Sequence, residues 1–306
     1  MPKNNEVKHE PLYVVPKFGQ EGVIQFVEQL NAIDVKIFNA PSEDEFRNTV
    51  GVFMTNTWND VPNYGPFPTR ITDKVIYELF AGNILPAGME IIGLCFGING
   101  MNMIDTTHLI RHRMFSFSAQ THADRDMRND RVVVSPQIQA HQDFYDRYMQ
   151  IYSSAHELYM DMVDSKQVDL LEARTVMGPA FERFYMCRGC IKDVIAYCKL
   201  RSDEQIQPYA DVIIAMKLWL EVLKLYPFLK GIVNFRDQDT FYVKQCSSGK
   251  TNIFPPLPKN DTFEWSETQF LYGTKGREKF PGFDVYNDLR ESLLEEIEAI
   301  EYMRPF

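Results

Sequence analysis

The apolar positions of this chain change period several times, and each change marks an expected element. LYVV (12–15) and VKIFNA (35–40) are short apolar runs that predict strands, and residues 21–30 between them have helical spacing. VGVFM (50–54) reads as a further β-branched strand. WNDVPNYGPFP (58–68) reads as a loop, because Pro, Asn and Gly punctuate it. Helical spacing returns over residues 71–82.

MEIIGLCFGI (89–98) is a near-continuous apolar run of the kind a buried strand needs. Asn99 or Asn102 then caps a helix running to about Arg111, and FSFSAQTH alternates like a strand. The longest periodic segment is 141–163, where Phe144, Tyr148, Ile151, Ala155, Leu158 and Met162 recur at steps of three and four. Further helices fit 168–174, 187–201 and 204–225. From about 235 the chain turns polar and proline-bearing (SSGKTNIFPPLPKND), then closes on the amphipathic LRESLLEEIEAIEYM. Residues 1–234 are therefore read as a core. Residues 235–306 are read as a C-terminal extension that wraps that core or touches another subunit.

Composition narrows the function classes. A formal charge of −10 argues against a protein that coats polymeric nucleic acid, since phosphate neutralisation needs clustered Lys and Arg. A few arginines in one cleft can still hold a small anion. No apolar run approaches the roughly 18 residues of a membrane span. MPKNNEVKHEPLYVV lacks the apolar stretch of a secretory signal, so a cytoplasmic location with reduced thiols is expected for the five cysteines.

Arg111-His112-Arg113 ends the helix begun near residue 99, with His108 one turn earlier. Basic residues gather at helix C-termini because they interact favourably with the dipole. The same side chains can form an anion site, because guanidinium forks match phosphate geometry. The triplet alone fits both readings.

Its surroundings add to it. HLIRHRMFSFSAQTHADR resembles the signature of the flavin-dependent thymidylate synthase family, in which Arg-His-Arg is followed by two serines. Ser116 holds the intermediate position and Thr121 the final one. EARTVMGPAFERFYMCRGCIKDVIAYCKLRSDEQIQPYAD (172–211) is similar to a second region of that family, which supplies two arginines to deoxyuridylate. By position these are Arg174 and Arg201. The resemblance covers about residues 90–225. It implies an α+β fold, a mixed sheet flanked by helices, and a homotetramer with shared active sites.

The implied reaction is flavin- and folate-dependent one-carbon transfer to C5 of a pyrimidine deoxynucleotide, with dUMP becoming dTMP. Methylenetetrahydrofolate is the carbon donor, and FAD supplies the hydride and is reduced again by NADPH. Arg174 and Arg201 carry the catalytic role; His108, Ser118, Gln120, Thr121 and His122 join them around the nucleotide. Arg111, His112, Arg113, Ser116, Arg125, Lys192 and Gln205 are the implied cofactor residues. Hydroxymethylation of dUMP or dCMP is the related alternative, and a non-catalytic nucleotide-binding homologue is the other.

Departures from the family pattern matter physically. Ser118-Ala119-Gln120-Thr121-His122-Ala123 stands where the family has Asn-Glu-x-Ser-x-Arg, so a carboxylate is lost and Arg125 can replace the arginine only across an insertion. His108 stands for a glutamine, Lys192 for an arginine, Ala196 for an asparagine and Gln205 for a histidine. Losing a carboxylate beside guanidinium groups favours an added anion. Cys187-x-x-Cys190 with Cys198 suits core packing, a redox pair being the sharper alternative. His108 and His112 have ligand spacing but no glutamate between them as in a zinc protease, and no metal site is expected.

Overall fold

The computed structural model describes residues 22–67, Ile76, Phe80, 87–119, 125–202, 207–236 and 277–301. The strand expected over 12–15, most of the helix expected over 71–82, the polar stretch of the tail, Gln120, Thr121, His122 and Gln205 lie outside these residues. Elements follow in the order β1 (Gln25–Glu28), α1 (Gln29–Ala32), β2 (Asp34–Asn39), α2 (Glu43–Thr55), α3 (Ala87–Glu90) and β3 (Gly93–Met101). Then come α4 (Met103–Leu109), β4 (Ser116–Ala119), β5 (Arg131–Val134), α5 (Pro136–Gln139), α6 (Gln142–Ser165) and α7 (Leu170–Ala173). β6 (Arg183–Cys190), α8 (Ile191–Arg201), α9 (Tyr209–Leu225) and α10 (Phe283–Ala299) complete the order.

Two sheets organise the α+β fold. One has strand order β2-β3-β6-β4, antiparallel throughout; the other is a parallel pair of β1 and β5. Parallel and antiparallel pairing thus occur in separate sheets. β3 alternates between buried and half-buried positions, and its Leu94, Phe96 and Ile98 face the main core. Across that core lies α9, which is apolar on almost every face, as a helix covered all round must be. α10 supplies part of the cover. Tyr286 stacks on Tyr209 at 4.0 Å, and Leu293, Leu294 and Ile297 are buried in the same cluster. Lys230 Nζ donates to the Glu298 and Ile300 carbonyls at 2.6 Å each, satisfying the end of α10. The closing helix of the tail therefore packs on its own chain.

A second core joins β5 to α6 through Val132, Tyr152, Tyr159, Val163 and Phe181. Arg128 lies fully buried beside it, bonded to Asp126 at 2.6 Å and Asp164 at 2.8 Å.

Several local expectations are corrected. VGVFM belongs to α2, not to a strand. Ser42 and Glu45 form a capping box, and Phe46, Val50 and Met54 then fall on one buried face. A run of five apolar residues cannot by itself distinguish the two periods. Residues 25–28 form β1 where a helix was expected, because pairing with β5 holds them extended. Cys187 and Cys190 end β6, so the expected helix over 187–201 begins only at Ile191. On α6 the buried stripe is Tyr152, His156, Tyr159 and Val163. The stripe read from the sequence lies beside it and leaves Phe144, Ile151 and Leu158 exposed.

Gly100 closes the turn after the pairing of β2 and β3, with φ of +80°. A Cβ there would lie 2.2 Å from the Ala32 carbonyl oxygen. Gly100→Ala is expected to cost at least about 1–2 kcal/mol from the left-handed backbone alone, with the clash added. Urea unfolding of both proteins measures the difference, and equal midpoints would refute it.

Candidate functional site

The site grows from α4. Asn102 caps it, its side chain accepting from Ile104 N and Asp105 N, while Asp105 reaches back to Asn102 N at 2.9 Å. Three residues further along lies His108, and a turn then carries Arg111, His112 and Arg113 into β4. Opposite stands Arg201, the last residue of α8 and buried. Each of its three guanidinium nitrogens is engaged. Nη1 donates to Gln207 Oε1 at 2.5 Å and Asp211 Oδ2 at 3.1 Å; Nη2 donates to the His108 carbonyl at 2.9 Å. Nε donates to His112 Nε2 at 3.1 Å. Asp211 Oδ2 also meets His108 Nδ1 at 2.8 Å.

These bonds fix protonation. His112 accepts from Arg201, so its Nε2 carries no proton and the ring is neutral. Burial, then the Arg201 charge, lowers its pKa to about 4. The ring lies edge-on to buried Tyr197 at 4.7 Å. Burial pushes the Asp211 carboxyl up, while Arg201 and His108 pull it back. Asp105 accepts from Gln29 Nε2 at 2.7 Å, and burial raises its pKa to about 7. A cavity of about 470 Å³ opens beside it, lined among others by Gln29, Asn102, Asp105 and Tyr209 and, among the described residues, by no lysine, arginine or histidine.

The remaining expected residues are dispersed. Arg111 and Arg113 are exposed and have no ion-pair partner among the described residues. Ser116 and Ser118 are exposed on β4, in register with Arg188 and Met186; Phe117 between them points into the core. They lie across the sheet from His112. Arg125 makes a two-pronged pair with Asp130, at 2.6 Å for each bond. Lys192 pairs with Glu90 at 2.5 Å, and Ala196 is exposed. Arg174 donates from Nε to the Leu171 carbonyl at 3.0 Å, beside the second core, and no hydrogen bond joins it to the Arg201 network.

Gln29, Asp105, Gln207 and Asp211 were not singled out as site residues from the sequence. Asp105 lies three positions before His108 on one helix face, the available signal. Asp211 follows Arg201 by ten residues, and only the turn into α9 brings it back.

The cysteines behave as packing residues. Burial raises the Cys187 thiol to about 12 and the Cys190 thiol to about 11, and pushes Cys198 up as well. Among the described residues, no group of three His, Cys, Asp or Glu could hold a metal, and no helix is long and apolar enough to cross a membrane.

Solved structures share this fold. The UMP/dUMP methylase PolB from Streptomyces cacaoi bound with 5-Br dUMP matches 67% of this chain and 94% of its own, with TM-score 0.56 and 16% identity. The same enzyme bound with 5-Br UMP matches 67% and 93%, with TM-score 0.53 and 16% identity. Identity that low speaks to architecture alone. The sequence places the chain more narrowly: residues 67–227, more than half of it, match the thymidylate synthase complementing protein family, and the chain belongs to that family. The match includes the Arg-His-Arg turn, Arg174, Lys192 and Arg201, while α10 lies beyond it. No curated protein sequence matches.

Asp105 and His112 act on stability in opposite directions. Asp105 contributes stability below about 3.8 that is lost as pH rises towards 7. His112 contributes stability above about 6.5 that is lost as pH falls towards 4. Between about 4 and 6.5 the slopes offset each other. Asp105→Asn keeps the acceptor and removes one slope, so its stability should rise with pH across that window. Urea midpoints measured through the window check this, and a variant that tracks the parent protein contradicts it.

Proposed function

We propose that this protein transfers a one-carbon unit to C5 of a pyrimidine deoxynucleotide, with dUMP as substrate and dTMP as product. Family membership across the Arg-His-Arg turn carries the reading. Methylenetetrahydrofolate is the carbon donor. FAD, when bound, supplies the hydride, and NADPH restores it.

The side chains present suit the diphosphate of that cofactor. Arg111 and Arg113 are exposed, adjacent to one turn and not spent on carboxylates of the described residues. Guanidinium forks in that state bind phosphate oxygens bidentately. The ring end is served less well, since Ala196 offers no donor. Lys192 can add charge from its exposed pair with Glu90. Arg201 acts here as a positioning residue. It holds neutral His112 and, through Asp211, orients His108, whose ring keeps a quarter of its side chain exposed. His108 can then hydrogen-bond a pyrimidine edge.

Arg174 lies apart from Arg201, and assembly into a homotetramer with shared sites accounts for the gap. A tetramer with three twofold axes needs two different self-complementary surfaces. Two uncovered apolar surfaces stand out among the described residues. Phe144, Ile151 and Leu158 form one along α6 at steps of seven, the repeat that lets two helices pack side by side. Phe38, Phe184 and Met186 form the other on the outer sheet face, around a groove of about 400 Å³.

Purified protein should be yellow. Incubated with dUMP, the folate donor and NADPH, it should give a nucleotide heavier by one CH₂ in mass spectrometry. A hydroxymethyl product would replace methylation with the related reaction, and colourless, inactive protein would sink both. Independently, Ile151→Glu with Leu158→Glu should halve the assembly mass in sedimentation; an unchanged mass would remove α6 from the interface.

A further inference from the structure

Asp105 on α4 is 3% exposed, and its two oxygens have unequal surroundings. Oδ2 accepts from Gln29 Nε2 at 2.7 Å and from Asn102 N at 2.9 Å. Oδ1 accepts no hydrogen bond among the described residues. It is not sealed off either, so it opens onto the 470 Å³ cavity that Asp105 lines. Both partners of Oδ2 are neutral N–H groups. Among the described residues, the one charge that acts on this carboxyl is Asp211, which has the same sign. Arg201 and His108 are committed to Asp211, and no hydrogen bond joins either to Asp105.

A carboxylate withdrawn from water without a counter-charge is costly, and a cation that joins it recovers that cost. The cavity has room for one, since small-molecule sites span roughly 300–1,000 Å³. Leu30, Pro136, Pro208 and Phe280 give it apolar walls, and Tyr209 is fixed beside them by stacking on Tyr286 at 4.0 Å. No lysine, arginine or histidine among the described residues lines it, so no basic side chain there repels a cation. Its walls have two origins. Asp105, Pro136 and Tyr209 lie in the stretch that matches the family, whereas Leu30 and Phe280 lie outside it. Gly282 seats the start of α10 against α5: its φ is +85°, and a Cβ there would lie 2.6 Å from the Pro136 carbonyl oxygen. The wall at Phe280 is thus set by the chain's own extension.

We propose that this cavity binds a small organic cation, an amine or amidine on an apolar body. Its N–H groups donate to Asp105 Oδ1, and its body rests on Leu30, Pro208 and Phe280. The site is separate from the Arg-His-Arg turn and independent of the one-carbon reading. A cation there also offsets the repulsion between Asp105 and Asp211.

Titration calorimetry of the full-length protein with benzamidine, benzylamine, benzamide and benzoate tests it. Benzamidine and benzylamine should bind, benzamide about 10-fold more weakly or worse, and benzoate not at all. Asp105→Asn keeps an acceptor for Gln29 and removes the charge. Benzamidine affinity should then fall about 10–100-fold, the loss of a charge-assisted hydrogen bond. Ile104 lines the cavity from an exposed position, so Ile104→Trp should block both amines without lowering the melting temperature. Equal benzamidine affinity in parent and Asp105→Asn overturns the proposal, as does benzamide binding as tightly as benzamidine. Amine binding that survives Ile104→Trp would put the cation elsewhere on an acidic protein and overturn it too. So would the absence of binding by either amine.

Discussion

The arrangement around Arg201 depends on one requirement: a buried guanidinium must have a partner at each of its nitrogens. Arg201 meets it with groups from three elements. The His108 carbonyl and His112 ring come from the end of α4 and the turn after it, Gln207 from the approach to α9, and Asp211 from α9 itself. Each bond in a low-dielectric interior is strong, and each left unmade would be expensive. The fork therefore locks the Arg-His-Arg turn to α8 and α9, and it fixes His112 as a neutral acceptor. It also explains why Asp211 is tolerated in an apolar helix. Removing either member would strand the other's charge.

How much of this was legible in the sequence depended on whether the cause was local. α4 and its Asn102 cap, the alternation of β3 and β4, and the length of α6 follow from periods and caps within one segment, and each is found near its expected bounds. VGVFM misled because five apolar residues suit either period; Ser42 and Glu45, some residues earlier, decide it. β1 misled because its extended form comes from β5, more than a hundred residues away. The site divided in the same way. The Arg-His-Arg turn and Arg201 stood out as basic residues in recognisable company. Their neutralisation did not, because Asp211 meets Arg201 only after the chain turns back, and Gln29 meets Asp105 across 76 residues.

The stripe on α6 shows how a correct period can carry a second message. Residues at steps of three and four predicted the helix rightly, yet the face turned to the core is the adjacent one, centred on Tyr152, His156 and Tyr159. His156 is accepted there because its Nε2 meets the Arg128 carbonyl at 2.7 Å. An apolar row that the chain does not bury itself costs solubility and gains nothing in the monomer. Its retention beside a fully formed core supports the proposed contact with another copy.

The arginines make the final distinction. In a chain whose acids outnumber its lysines and arginines by ten, a counter-ion is usually near. Arg125, Arg128, Arg131 and Arg201 all meet carboxylates in their own fold. Arg111 and Arg113 meet none among the described residues, but they are exposed, and water screens them at little cost. Arg183 is half-buried, donates to the Glu182 carbonyl and feels the Asp130 carboxylate nearby. A net charge of −10 then favours a small anion held by a few arginines over a long polyanion.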